Sequence, residues 1–210
     1  YFVGMFFKEH VIVLPAILAC AELTVVRDPR PWRERLDETT SLLVKFAFLA
    51  AIFLAIRTTV LSDVAGDTPH PALQHLTASQ RAVVMLGLVP EFGRLLLWPA
   101  RLYADYSPQL VHVHTSWHPE LIPGILFLVC TALLALICFR RAPLVTFGVL
   151  WLAVSLLPVA NLLLPTGILL AERTLLLPSV GAMLAVGVAG QWLGARLTGA
   201  PRPAKLVALG

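Results

Sequence analysis

The sequence predicts an all-α protein, a polytopic bundle of transmembrane helices. Its mean hydropathy is +0.82 and only 13% of its residues are charged, whereas soluble domains carry roughly 25% charged residues. Several apolar stretches approach the roughly 20 residues that a helix needs to cross a bilayer. Arginines cluster beside these stretches, as they do at the cytoplasmic ends of membrane helices. The net charge of +4 therefore reflects membrane orientation, and no nucleic-acid partner is predicted.

Five spans and one irregular helix are predicted. The irregular helix is residues 82–100, where Pro90, Glu91 and Arg94 separate pieces too short to cross alone. We expect it to be broken, re-entrant or interfacial. Residues 1–7 are predicted to end an earlier helix. The predicted spans are residues 11–26, 42–61, 121–139, 143–160 and 175–195.

The arginine pattern orients these spans. Five crossings place all the Arg-rich segments on the cytoplasmic side, whereas a sixth crossing at 82–100 would put two of them on opposite sides. We expect a membrane domain over residues 1–196, with outer loops 63–120 and 161–174, cytoplasmic loops 27–41 and 140–142, and a cytoplasmic linker at 197–210. The basic residues that determine this orientation are Arg27, Arg30, Arg33, Arg35, Arg140, Arg141, Arg196, Arg202 and Lys205.

Charged residues at the outer ends of spans are the first candidates for a site. Lys8, Glu9 and His10 precede a span, and at most two of three adjacent residues on a helix can face one site. Arg57 ends its span with a fork of donors that suits phosphate oxygens. Each group has a simpler alternative, a solvated helix junction for Lys8–His10 and a lipid-headgroup anchor for Arg57.

Aromatic residues surround an acidic residue in the outer stretch WPARLYADYS (residues 98–107). The faces of Trp98 and Tyr106 can stack on a sugar while the Asp105 carboxylate accepts hydrogen bonds from hydroxyls. The alternative is an ordinary aromatic belt at the interface, with Asp105 capping a turn.

The stretch NLLLPTGILLAERTLLLPSVG (residues 161–181) carries the strongest signal. Asn161 and neighbouring Pro and Gly residues break an uncharged run too long for one span, and irregular backbone at membrane depth lines a cavity or is buried in protein. Glu172 and Arg173 would then project towards that cavity, since charges at this depth are costly and usually functional. Alternatively, Arg173 snorkels to lipid headgroups.

A metal site is a weak alternative. His112, His114 and His118 could hold a divalent ion with Asp105 and Glu120, but no regular backbone aligns all three histidines, and a His-rich surface loop explains them equally well. The three cysteines have no zinc-ligand spacing. No cofactor is firmly predicted.

Five segments together resemble the membrane region of the transmembrane-and-TPR-repeat protein O-mannosyltransferases, which have the GT-C glycosyltransferase fold. The segments are FFKEHVIVLPAILACAEL, Arg57 at the end of its span, GDTPHPA, LLLWPARLYADYS and LLPVANLLLPTGILLAERTLLLPSVG. The chain departs from the family at Leu176, where a Tyr is usual, and at Asp67-Thr68-Pro69, where the family has Asp-Asn-Pro. The resemblance implies that the chain is a fragment, with the principal catalytic acid upstream and the TPR repeats downstream, and that it is inactive alone.

The resemblance also implies transfer of a sugar, mannose by analogy, from a polyprenyl-phosphate donor to a Ser or Thr hydroxyl of a protein acceptor. Arg173, Arg57 and Lys8 would bind the donor phosphate, and Glu9, Asp105 and Glu172 would be supporting catalytic carboxylates. Tyr106, Trp98 and Asn161 would contact sugar or acceptor. Thirteen arginines against three lysines favour a bacterial gene, and hence the inner membrane with a periplasmic site. The alternatives are a transporter or flippase, for which no inverted repeat is found, and a non-catalytic scaffold.

Overall fold

The computed structural model describes residues 1–26, 28–61, 70–103, 106, 114–162 and 167–197. All regular structure in this part of the chain is helical, which confirms the all-α prediction. Short 3-10 turns precede or follow several helices. The helices are α1 (Phe2–Phe7), α2 (Leu14–Thr24), α3 (Trp32–Leu61), α4 (Ala78–Leu97), α5 (Ile122–Arg141), α6 (Pro143–Leu156) and α7 (Leu176–Leu197).

Among the described residues, three helical segments are long and apolar enough to cross a membrane, as expected of an integral membrane protein. They are Trp32–Val60, Pro119–Arg141 and Glu172–Trp192, with mean hydropathies of 2.1, 2.7 and 1.5. Pro143–Val159 is apolar but shorter. The predicted span at 11–26 begins within a 3-10 helix, Glu9–Val13, and continues with the 11 residues of α2. At 1.5 Å per residue, α2 alone covers about half of a roughly 30 Å hydrocarbon core.

Helix α4 is continuous, so the expectation that Pro90 divides it is wrong. Thr77 starts it with a capping box, accepting a hydrogen bond from the Gln80 backbone while its own backbone donates to the Gln80 side chain. Pro90 removes only one intrahelical donor, which leaves the Leu86 carbonyl without its usual partner. Helix α5 packs against this carbonyl at Gly124, where an added Cβ would lie 2.2 Å from the Leu86 oxygen.

Helices α6 and α7 form a close antiparallel hairpin. Gly148 faces Gly181, and an added Cβ on Gly181 would lie 2.3 Å from the Gly148 carbonyl oxygen. One turn further along, the Trp151 indole N–H donates to the Leu177 carbonyl at 2.9 Å. The start of α7, which directly follows the 3-10 helix Glu172–Leu175, is therefore held against α6.

The buried core lies around α4 and the segment that leads into α7. Leu175 is one of these core residues, so the Glu172–Leu175 turn packs against α4. The core residues are Leu73, Val84, Met85, Leu88, Phe92, Leu95, Tyr106, Leu169, Leu170 and Leu175.

The predicted cytoplasmic loop between α2 and α3 is held by ion pairs. Arg35 donates to the Glu22 carboxylate at 2.9 Å and to the Glu22 and Val26 carbonyls at the end of α2. Hydrogen bonds from Arg30 lower the pKa of Asp28 to about 2. Arg27, the side chain of Arg196, Arg202 and Lys205 lie outside the described residues.

Candidate functional site

A cavity of about 570 Å³ opens where α1 ends, beside α3 and the Glu172–Leu175 turn. Phe7 and Phe53 belong to its apolar part. Four of the predicted site residues lie in its wall, although they come from three separate parts of the sequence. Its polar lining consists of Lys8, Glu9, His10, Arg57, Arg173 and Thr174.

A break in the helix lets Lys8, Glu9 and His10 all line this cavity. Lys8 has an extended backbone (φ −153°, ψ 115°) between α1 and the 3-10 helix Glu9–Val13. The expectation that at most two of the three face one site assumed a continuous α-helix. With the chain extended at Lys8, that limit does not apply.

The cations of the cavity differ in whether they are paired. Arg57 forms a salt bridge with Glu9, in which the Arg57 side chain is 14% exposed and the Glu9 side chain 60%. Within the described part of the chain, Lys8 and Arg173 form no ion pair or side-chain hydrogen bond. Three cations and one carboxylate give the cavity a net positive charge, carried by Lys8 and Arg173.

A second cavity, of about 380 Å³, adjoins the first and is almost entirely apolar. It lies between the start of α2 and the adjoining faces of α6 and α7. Lys8, His10, Arg173 and Thr174 line both cavities and so form the boundary between them. The geometry suits an amphiphile whose anionic group lies at this boundary. The apolar lining is Val11, Val13, Leu14, Ile17, Trp151, Leu176, Leu177 and Val180.

Thr174 and Trp151 are cavity residues that the sequence did not single out, and His10 was considered there only with Lys8 and Glu9 and was given no role of its own. The His10 Nε2 atom is buried without a hydrogen-bond partner among the described residues. Burial, and then the charge of Lys8, lower the pKa of His10, so its neutral form is favoured at pH 7. The adjacency of His10 to Lys8 and Glu9 was a usable signal, whereas nothing in the sequence marks Trp151 as different from other apolar residues of α6.

Glu172 binds a neighbouring segment of the chain. One of its carboxylate oxygens accepts hydrogen bonds from the Tyr103 backbone N–H at 3.0 Å and from the Tyr106 hydroxyl at 2.8 Å. Tyr106 is only 2% exposed, and burial and the Glu172 carboxylate raise its pKa. Trp98, the other predicted sugar contact of this stretch, is 74% exposed.

Asn161 holds a turn. It is fully buried, has a left-handed backbone (φ 52°), and its amide donates to the Ile168 carbonyl at 3.0 Å. In this position it is not exposed to a ligand. Two other predicted residues, Asp105 and His112, lie outside the described residues.

The geometry around the remaining histidines is unfavourable for a shared metal. His114, His118 and Glu120 have ligand atoms within 4.8 Å of one another, but the two imidazole rings are stacked at 4.1 Å with only 4° between their planes. Nearly parallel rings do not direct lone pairs at one ion. The His118 Nδ1 atom also accepts a hydrogen bond from the Glu120 backbone, and His114 already bonds the Glu120 carboxylate at 2.8 Å.

Comparison of this chain with known protein families, with curated proteins and with solved structures gives no match. Evidence about function therefore comes from the residues of the two cavities.

Proposed function

We propose that this chain is the membrane region of a polyprenyl-phosphate-dependent glycosyltransferase with the GT-C fold. It would transfer a sugar, mannose by resemblance, to a Ser or Thr hydroxyl of a protein on the non-cytoplasmic face, in a bacterial inner membrane. The observation that supports this most is that two cations at the boundary between a polar and an apolar cavity, Lys8 and Arg173, form no ion pair with any described residue.

The two cavities fit the two ends of such a donor. The prenyl chain occupies the apolar cavity, the phosphate lies between Lys8 and Arg173, and the sugar enters the polar cavity beside Glu9 and Arg57. As the bond between sugar and phosphate breaks, negative charge develops on the leaving phosphate. Fixed cations that meet this charge at low dielectric lower the barrier.

The acceptor hydroxyl needs a general base. Glu9 lies in the polar cavity, but its carboxylate is paired with Arg57 and would have to leave this salt bridge to accept the proton of a hydroxyl. The Glu172 carboxylate is occupied by Tyr103 and Tyr106. Both carboxylates therefore already have partners. This agrees with the family resemblance, which implies that the principal catalytic acid belongs to a different part of the full-length protein.

Five crossings remain part of the proposal. The predicted span at 11–26 and the segment Pro143–Val159 are too short to cross alone at full bilayer thickness, but tight packing among neighbours and local thinning accommodate short segments. The α6–α7 hairpin provides such packing for Pro143–Val159.

Arg173→Ala in the full-length protein tests the function. In liposomes that contain polyprenyl-phosphate mannose, we expect transfer to a protein acceptor to fall by about 100-fold or more, since removal of one preorganised charge-stabilising donor has effects of this size. Arg101→Ala is the matched control, because Arg101 lies at the same end of the molecule and lines neither cavity.

Two results would overturn the proposal. Full transfer by Arg173→Ala would mean that the donor phosphate binds elsewhere. Transbilayer movement of the donor without any sugar transfer by the wild-type protein would identify a flippase instead.

A further inference from the structure

Glu172 and Arg173 are adjacent but face different parts of the molecule. They lie in a 3-10 helix, Glu172–Leu175, in which successive residues are rotated by about 120°. Glu172 faces residues 101–103 and Tyr106, and accepts one hydrogen bond from Tyr103 and one from Tyr106. Arg173 lines both cavities. Whatever fixes the rotation of this short turn therefore also fixes the direction of Arg173.

The segment bonded by Glu172 is itself anchored at both ends. Arg94 of α4 donates to the Arg101 carbonyl at 3.0 Å and is held by an ion pair with Glu91. At the other end, the Tyr106 ring is part of the buried core, together with Leu169, Leu170 and Leu175. Among the described residues, contacts thus link α4 to Arg101, and Tyr103 and Tyr106 to the turn that carries Arg173.

We propose that Glu172 is a positioning residue, which docks Tyr103 and Tyr106 onto the Glu172–Leu175 turn and so aims Arg173 at the boundary between the cavities. The role of Arg173 as a phosphate ligand rests on the proposed function, whereas the docking itself does not. Residues 101–103 also follow the exposed Trp98, so a change at these residues would be transmitted to the donor phosphate through Glu172.

Four substitutions separate the parts of this contact. Glu172→Ala removes both hydrogen bonds, whereas Glu172→Gln keeps an oxygen that can accept them. Tyr106→Phe removes one bond and keeps the ring in the core. Tyr103→Phe is the matched control, because Tyr103 contributes its backbone N–H, which the substitution leaves in place.

A distance measurement tests the docking without any ligand. Spin labels at Leu102→Cys and Met183→Cys, both exposed positions, report on the segment and on α7 in a chain whose three native cysteines are replaced by serine. We expect one narrow distance distribution for wild type, Tyr103→Phe and Glu172→Gln, and a broad one for Glu172→Ala and Tyr106→Phe. An unchanged distribution in the last two variants would overturn the docking.

Binding of polyprenyl monophosphate to the chain in nanodiscs tests the effect on Arg173. We expect Glu172→Ala to weaken binding by about tenfold, which is comparable to the loss of one charge-assisted contact, and Glu172→Gln to restore it. The double variant Glu172→Ala/Arg173→Ala should bind no more weakly than Arg173→Ala alone, since the two residues act through one contact.

If the losses of affinity in Glu172→Ala and Arg173→Ala simply add in the double variant, Glu172 has only a structural role, and the positioning claim is overturned. If the wild-type chain binds no polyprenyl monophosphate at all, the proposed function fails, and with it the aiming of Arg173 at a phosphate. The spin-label distances still decide whether Glu172 docks the segment.

Discussion

The cations of the polar cavity differ in whether they already have an ion-pair partner, and therefore in how favourably each can bind an anion. The Arg57 guanidinium is committed to Glu9, so a ligand would have to compete with an existing salt bridge. Lys8 and Arg173 have no such partner in the described part of the chain. A desolvated anion gains more from unpaired cations than from paired ones, because no existing contact is lost.

His10 gives the cavity a dependence on pH that can be measured as stability. Its folded-state pKa is lowered, first by burial and then by Lys8, so the unfolded chain takes up the proton more readily. The neutral form therefore contributes stability above the ordinary pKa of about 6.5, and this contribution is lost as the pH falls through the folded-state pKa. Glu9 opposes the shift, and Arg173 lines the same two cavities.

His10→Leu removes this titration. We expect the apparent melting temperature in detergent to fall less between pH 7 and pH 5 for His10→Leu than for wild type, whatever their difference at pH 7. Equal slopes in the two proteins would show that His10 titrates with the same pKa in both states.

Prediction at this scale was better for charges than for their partners. Arg173 was selected because charge at membrane depth is costly, and Lys8 and Arg57 because they lie at the outer ends of spans. The structure brings all three to one cavity. The bond from Tyr106 to Glu172 joins residues 66 positions apart, and no local pattern encodes such a pair. Asn161 was read as a ligand contact because polar residues stand out in apolar stretches, yet its amide satisfies a buried turn.

At the scale of elements, the packing of α5 against α4 takes the place of a hydrogen bond that a proline removes from α4. Pro90 cannot donate to the Leu86 carbonyl, and α5 brings Gly124 against that oxygen. A Cα–H group in such close contact is a weak donor to a carbonyl. This arrangement explains why α4 continues through Pro90 and packs as the most buried helix of the core.

Gly124→Ala should separate α4 from α5. The added Cβ would lie 2.2 Å from a backbone oxygen that cannot move without shifting the helix, so we expect a loss of about 1–3 kcal/mol, typical of overpacking. Gly187→Ala is the control, since nothing lies within 4 Å of its added Cβ, and there the usual gain of about 0.5–1 kcal/mol for alanine in a helix is expected. Equal melting temperatures for the two variants would contradict this packing.

Element boundaries were predictable only where composition changes abruptly. The arginines Arg140 and Arg141 and the following Pro143 mark the end of α5 and the start of α6, as the sequence indicated. The prediction that Pro90 divides residues 82–100 was wrong. The sequence shows that a proline removes a hydrogen bond, but it does not show that a neighbouring helix packs against the carbonyl left without its partner. The shortness of α2 was missed for a similar reason, since apolar content does not distinguish a 3-10 helix from an α-helix.

For the whole molecule, orientation is the property that the sequence predicts and that a membrane experiment can test. Lys8, Arg57 and Arg173 meet at one end of the bundle, and the arginine clusters predict that this end faces outwards. A cysteine at Ser79, in a chain without its native cysteines, should react with a membrane-impermeant thiol reagent added to intact cells. One at Glu34 should react only after the cells are opened.

The reverse labelling pattern would invert the topology and place the cavities on the cytoplasmic side. Both positions are exposed in the folded chain, so a difference in labelling would report on the side of the membrane and not on burial within the protein.

The most direct measurement is the affinity of this chain for polyprenyl monophosphate in nanodiscs of phosphatidylethanolamine and phosphatidylglycerol. We expect polyprenyl monophosphate to bind even in the presence of the anionic phosphatidylglycerol, and neutral polyprenol not to bind in the same way. Lys8→Gln and Arg173→Gln should each weaken this binding by about tenfold or more, whereas Arg101→Gln should leave it unchanged. Equal affinity for polyprenol, or equal losses in Arg101→Gln and Arg173→Gln, would contradict a phosphate site between Lys8 and Arg173.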